Sequence, residues 1–247
     1  MPGAASSGFS ESTSLPDGGL PDGGLPDGGE SEAVRPHVRE IWTPSGAARL
    51  HVELPAGGPR GLLMLGHSAG GGPDASDLLA VRTLALGVGL AVVRTEQPYR
   101  VAGRRAPAPA PRLDEAWQAC VVGARSEPGL GGIPLVAGGR SNGARVACRT
   151  AHVVGAVRVL ALAFPLHPPS SPHRTRLPEL ADAGVPVLVV QGSRDLFGSA
   201  GEMRDQLGLA SAPDDIEVVE APGADHSLRQ VAPTLDRVGE WLVARLP

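Results

Sequence analysis

Gly138-Gly139-Arg140-Ser141-Asn142-Gly143-Ala144-Arg145 decides how this chain is read. A strand-like run, Ile133-Pro134-Leu135-Val136-Ala137, leads into it, and a small-residue helical pattern from Ala144 to His152 leads out. A strand that becomes a helix within about one residue forces the intervening Ser into a strained backbone and leaves no room for bulky neighbours. That accounts for Gly139 and Gly143 on either side of Ser141. The order strand, Gly-x-Ser-x-Gly, helix is a nucleophile elbow. A Gly-rich turn whose Ser merely caps a helix gives the same five-residue pattern, so the rest of the chain has to choose between them.

Upstream, the pattern is that of a sheet with helical crossovers. Val38 to Trp42 and Ala48 to Leu54 read as a hairpin, since Leu50, Val52 and Leu54 alternate with Arg49, His51 and Glu53. Gly61-Leu62-Leu63-Met64-Leu65-Gly66 is apolar without alternation, the mark of a strand covered on both faces. Asp74 or Ser76 is placed to cap a helix carrying Leu78, Val81, Ala85 and Val88, and strand Leu90 to Arg94 follows. After a Pro- and Ala-rich loop, Leu113, Ala116, Trp117, Cys120, Val121 and Ala124 fall on one helical stripe.

Downstream come strand Val157 to Phe164, a short helix around Leu177 to Ala183, strand Val187 to Val190 and a helix near Gly201 to Leu209. Strand Ile216 to Glu220 and a last helix through Val231, Leu235, Val238 and Leu242 complete the chain. Repeated strand-helix units predict an α/β fold: a doubly wound, mostly parallel sheet of about eight strands with helices on both faces. No insertion between units is long enough for a substantial cap domain.

Composition sets the bounds. With 247 residues, 42% hydrophobic and 19% charged, the chain suits one globular domain with a sizeable core. Aromatics are only 3%, so that core must be aliphatic. A net charge of -4 gives no reason to expect nucleic acid or an anionic membrane as partner. Cys120 and Cys148 are too few for a disulfide framework and lack metal-site spacing. Both read as buried apolar residues of a reducing compartment, and with neither a signal-peptide pattern nor a membrane-length apolar run the expected location is cytoplasmic. Leu15-Pro16-Asp17-Gly18-Gly19 recurs at Leu20 and Leu25, so residues 1–35 read as a disordered tail and 36–247 as the folded domain.

The carboxyl ends of such strands are where functional groups collect. After Leu65 comes Gly66-His67-Ser68-Ala69-Gly70-Gly71-Gly72, a loop able to turn backbone N–H groups toward a ligand. Its position before the first helix is that of half an oxyanion hole, with the amides of Ala69 and Asn142 as the expected donors. A phosphate-binding loop would need a Gly-Lys-Ser/Thr ending or G-x-G-x-x-G spacing, and it has neither. Asp195 stands in the turn after the strand ending at Val190, and His226 precedes the last helix. Ser141, Asp195 and His226 thus occur in the chain order of a nucleophile, acid and base, each just past a separate strand. Arg140 beside the nucleophile, Arg100, Arg104, Arg105 and Arg112 in the long loop, and His67, Ser68 and His167 are further candidates for contact with substrate. The set needs no cofactor and no metal.

Gly66-His67, Glu96-Gln97-Pro98-Tyr99, Gly138 to Arg145, Phe164-Pro165-Leu166-His167-Pro168, Gln191 to Gly198 and Asp225-His226-Ser227 together resemble the α/β-hydrolase family. Within it they are similar to the dienelactone-hydrolase-like branch, to which the hydrolase-like domain of a non-specific lethal complex subunit also belongs. The resemblance runs from about Gly61 to the C-terminus. It implies a serine hydrolase acting on a small ester, lactone or thioester, and the rival is a silent module that keeps the fold for binding. Two residues depart from the family pattern: Ser68 stands where Gly often follows His, and Asn142 where an apolar residue is frequent. An elbow with Ser rather than Asp excludes dehalogenase chemistry, and peptidase or lipase activity would call for an extra domain or an apolar lid.

Overall fold

The computed structural model describes residues 36–209 and 215–244. The repeat-bearing segment expected to be a disordered tail lies outside the described residues. Within them one eight-stranded sheet runs in the order β1-β2-β4-β3-β5-β6-β7-β8. The strands are β1 His37–Thr43, β2 Gly46–Glu53, β3 Gly61–Gly66, β4 Leu90–Glu96, β5 Leu135–Arg140, β6 Ala156–Leu162, β7 Val187–Gly192 and β8 Ile216–Ala221. β1 and β2 are antiparallel, and β2 also pairs antiparallel with β4, so the expected hairpin is the sheet's own edge. From β4 to β8 every pairing is parallel.

The helices are α1 Ser76–Gly87, α2 Pro98–Val101, α3 Ala110–Arg125, α4 Asn142–Thr150, α5 Leu177–Ala181, α6 Ala200–Leu209 and α7 Leu235–Val243, the last entered through a short 3-10 turn. Two aliphatic layers cover the sheet. One packs Trp117, Cys120, Ala144, Ala147 and Cys148 of α3 and α4 against Leu62, Met64 and Ala137. The other packs Leu78 and Val81 of α1 and Val238 and Leu242 of α7 against Leu63, Leu65 and Val136. Every residue of the predicted α3 stripe is buried, and all six residues of β3 are buried. Both cysteines are free, and burial pushes each thiol up to about 12, so they act as small apolar side chains.

Two local expectations are corrected. The N-cap of α1 is Ala75, not Asp74 or Ser76. The carboxylate of Asp74 is taken by Arg94, Nη1 to Oδ1 at 2.5 Å, which removes the side chain from cap duty. The Pro- and Ala-rich loop contains α2, whose Pro98 at the first helical turn is the one sequence signal for it.

Register then brings the loops together. β3 lies between β4 and β5 with Gly66 opposite both Thr95 and Gly139. The chain winds one way from β3 to β4 and the other way from β5 onward, so a crevice opens between β3 and β5. Gly192 opposite Ala221 does the same for the loops after β7 and β8.

Candidate active site

Ser141 sits at φ 53 and ψ -108, a left-handed conformation rare for a residue with a Cβ and costing on the order of 1–3 kcal/mol. The neighbouring strand and helix hold it there. Its N–H donates to Leu162 O at 2.8 Å, and its carbonyl accepts from the Arg145 N–H at 3.1 Å. A Cβ on Gly139 would lie 2.5 Å from Gly66 O, and one on Gly143 would overlap the same peptide. Both flanking glycines are therefore required by close approach of the β3 end, as the elbow reading expects.

The turn presents the Ser141 hydroxyl to His226, whose Nε2 is 2.9 Å from Oγ. The other ring nitrogen, Nδ1, lies 2.8 Å from Asp195 Oδ2. A carboxylate only accepts, so Nδ1 carries the proton and Nε2 is left as the acceptor of the Ser141 O–H. The Asp195 side chain is buried and takes two further donors: the Phe197 N–H at 2.9 Å and Gln191 Nε2 at 3.0 Å. Phe197 also packs edge-on against the His226 ring, 4.5 Å between centroids. Gln191, fully buried at the end of β7, is a supporting residue that motif reading missed.

The loop after β3 is fixed by its carbonyls. His67 Nε2 accepts from the Gln97 N–H at 3.1 Å, so Nδ1 is protonated and donates to Ser68 O at 2.7 Å. Burial pushes the His67 pKa down and keeps the ring neutral. Tyr99, its phenol pushed up to about 12 by burial, donates to Ala69 O at 2.9 Å. Among the described residues neither the Ala69 nor the Asn142 N–H donates to another backbone group, and Asn142 opens helix α4, where such donors are unclaimed. Ala69, Ser141, Asn142 and His226 all line one cleft of about 250 Å³.

Four of the residues expected to meet substrate, His67, Ser68, Arg140 and His167, are not among those that line this cleft. His67 is only 2% exposed, with both ring nitrogens committed to backbone. Ser68 Oγ and the guanidinium of Arg140 bond to each other at 3.0 Å. His167 bonds Arg174 O and Glu202 across 2.7 and 2.8 Å, which raises its pKa despite partial burial. Each of the four instead has partners within the protein. Of the loop arginines, Arg104 and Arg112 line a separate cavity beside Trp42.

What does line the cleft is a wall of Pro107, Pro165, Pro169 and Phe197 with Arg145 and Arg176. Arg145 is bidentate to Glu179 at 2.6 and 2.8 Å, and Arg149 bidentate to Asp114 at 2.6 and 2.9 Å while touching Glu179 at 3.1 Å. Among the described residues the Arg176 guanidinium is hydrogen-bonded to carbonyls, Pro165 O at 3.2 Å and His167 O at 3.4 Å. Arg145 and Arg149 thus take up both carboxylates, and Arg176 is hydrogen-bonded to neither. Burial, then the neighbouring Arg145, pushes the Arg176 pKa down against the opposing pull of Glu179. Arg176 escaped the sequence reading because the folded β6–α5 loop brings it to the cleft, whereas Arg145 lies one turn past Ser141 on α4. Among the described residues, no group of three His, Cys, Asp or Glu is arranged to hold a metal ion, and no helix is long and apolar enough to cross a membrane.

The fold agrees with comparisons to known proteins. The chain is similar, at 17% identity and TM-score 0.71, to an alpha/beta serine hydrolase without lid from Xanthomonas campestris, over 87% of this chain and 98% of that one. A dienelactone hydrolase from Anabaena variabilis matches at 15% identity and TM-score 0.68, over 86% and 99%. An alpha/beta serine hydrolase homologue from Coxiella burnetii matches at 17% and 0.67, over 85% and 97%. At such identities the likeness is one of fold. None of the curated proteins compared with the chain matches it. The family model described as an alpha/beta hydrolase domain matches residues 59–235, most of the chain, and the protein therefore belongs to the α/β-hydrolase family.

Proposed function

We propose that the protein is a serine hydrolase that cleaves a small ester, lactone or thioester through an acyl-enzyme. The observation that carries this reading is the unbroken run of hydrogen bonds from Asp195 through His226 to Ser141. His226 Nε2 takes the hydroxyl proton as Ser141 Oγ attacks the carbonyl carbon, and Asp195 stabilises the imidazolium that forms. The amides of Ala69 and Asn142 meet the oxyanion, each worth on the order of 3 kcal/mol of barrier. Collapse expels the alcohol or thiol, which receives the proton from His226. Water then attacks the acyl carbon with His226 as base, the acid leaves, and Ser141 recovers its proton.

The cleft supports a substrate with a small body and an acidic group. Its apolar wall of prolines and Phe197 suits a compact hydrocarbon portion, and the charge of Arg176 suits a carboxylate held near the reacting carbonyl. Labelling with a fluorophosphonate tests the reading. The wild-type protein is expected to be modified at Ser141, and Ser141→Ala is expected to stay unmodified. A folded wild type that resists the probe would sink the proposal in favour of a silent binding module.

A further inference from the structure

Arg140, the residue before the nucleophile, spends its whole guanidinium inside the protein. Nη1 donates to Ser68 Oγ at 3.0 Å and Nη2 to the backbone carbonyl of His226 at 2.8 Å. Nε stands 3.2 Å from Asp77 Oδ2, an ion pair without the alignment of a hydrogen bond. The Arg140 side chain is 14% exposed and that of Asp77 1%. These partners belong to three separate segments: the loop that presents the Ala69 amide, the loop that carries the base, and the first turn of α1.

We propose that Arg140 is a positioning residue, a planar fork that fixes the Ala69 loop and the His226 loop relative to Ser141, with Asp77 as its buried counter-charge. The inference rests on the hydrolase reading for its effect on turnover, though not for the clamp itself. A guanidinium holds its N–H donors at fixed angles in one plane. Two of them used at once set the spacing between Ser68 and His226, which a single ammonium cannot do. Asp77 is where a charge would not be placed without need. Burial pushes its pKa up, while Arg140, the amides of its own helix turn and His226 pull the other way.

The glycine after the loop's turn fits the same picture. A Cβ on Gly71 would come 2.5 Å from Ser68 Oγ, so the loop folds back directly over that hydroxyl. The Ser68 hydroxyl is thereby closed in against Arg140. Ser at this position, where the family often has Gly, then has a physical reason: it supplies the acceptor that the fork needs on the Ala69 loop.

The test uses Arg140→Lys and the double variant Arg140→Gln/Asp77→Asn. The double variant leaves no unpaired buried charge and so keeps a foldable protein. With a neutral p-nitrophenyl ester, kcat is expected to fall by roughly 10- to 100-fold in both, the scale of misplaced catalytic groups. KM is expected to stay within about 2-fold, as for a loss felt only in the transition state. Fluorophosphonate labelling should slow in parallel. Hydrogen exchange is expected to rise together at residues 67–71 and 224–228 in the double variant, a readout independent of activity. An unchanged kcat, or a KM that rises alone, overturns the proposal and returns Arg140 to substrate binding. A wild type that does not label, with both loops still loosening together, instead removes the hydrolase reading and leaves the clamp standing.

Discussion

The imidazole of His67 accepts a hydrogen bond from the backbone N–H of Gln97 across 3.1 Å. That contact joins the Ala69 loop to the entrance of α2 and requires a neutral ring, because a protonated Nε2 has no lone pair to offer. Burial keeps it neutral by pushing its pKa below the ordinary value.

A pH dependence follows from the sign of that shift. An unfolded chain protonates this His near about 6.5, whereas the folded protein resists until lower pH. The unfolded state therefore binds more protons in that interval, and stability falls as pH drops below about 6.5. His51, also pushed down by burial, acts in the same direction. Urea unfolding of wild type and His67→Asn between pH 5 and pH 8 should show a smaller acid loss in the variant; equal slopes would mean that His67 titrates normally.

Arg176 offers a prediction about selectivity. Among the described residues its guanidinium is the cleft charge hydrogen-bonded to carbonyls. Arg176→Gln is expected to lower kcat/KM about 10-fold for an ester bearing a carboxylate, the scale of one lost charge-assisted contact. A neutral ester of the same size should change by less than about 2-fold. Equal losses on both esters would assign Arg176 to loop structure.

Glu179 predicts an acid-sensitive brace behind the cleft. Burial alone would raise its pKa, but the paired bonds from Arg145 and Arg149 outweigh it and bring the pKa down. Its contribution is then complete above the unfolded value of about 4.3 and is lost as pH falls through the lower folded value. Glu179→Gln should cost about 1.5–3 kcal/mol at pH 7, the worth of hydrogen bonds to a charged group. The cost should shrink near pH 3.5, and calorimetry at the two pH values checks it.

What could be read from the chain was what short-range pattern encodes. The elbow at Ser141, the continuous run of β3, the stripe of α3 and the order Ser141, Asp195, His226 all depend on spacing along the sequence. The residues that escaped reading depend on where the fold returns. Gln191 reaches Asp195 only because the turn after β7 curls back over it. Arg176 reaches the cleft because its N–H is bonded to Leu166 O, ten residues back along a folded loop. Charge misled in the opposite sense at Asp74, which stood where a helix cap was expected and is claimed by the buried Arg94.

Gly66, Gly139 and Gly143 meet with no side chain between them. The gap between the Ser141 turn and the Ala69 loop is consequently set by the contact radii of peptide atoms, with the Trp117 ring beside Gly66. Changes in the aliphatic layers can thin or thicken the core while that dimension stays constant. The alignment proposed for the attacking oxygen and amide donors is in this sense a gauge cut into the main chain, insulated from drift in the sequence that surrounds it.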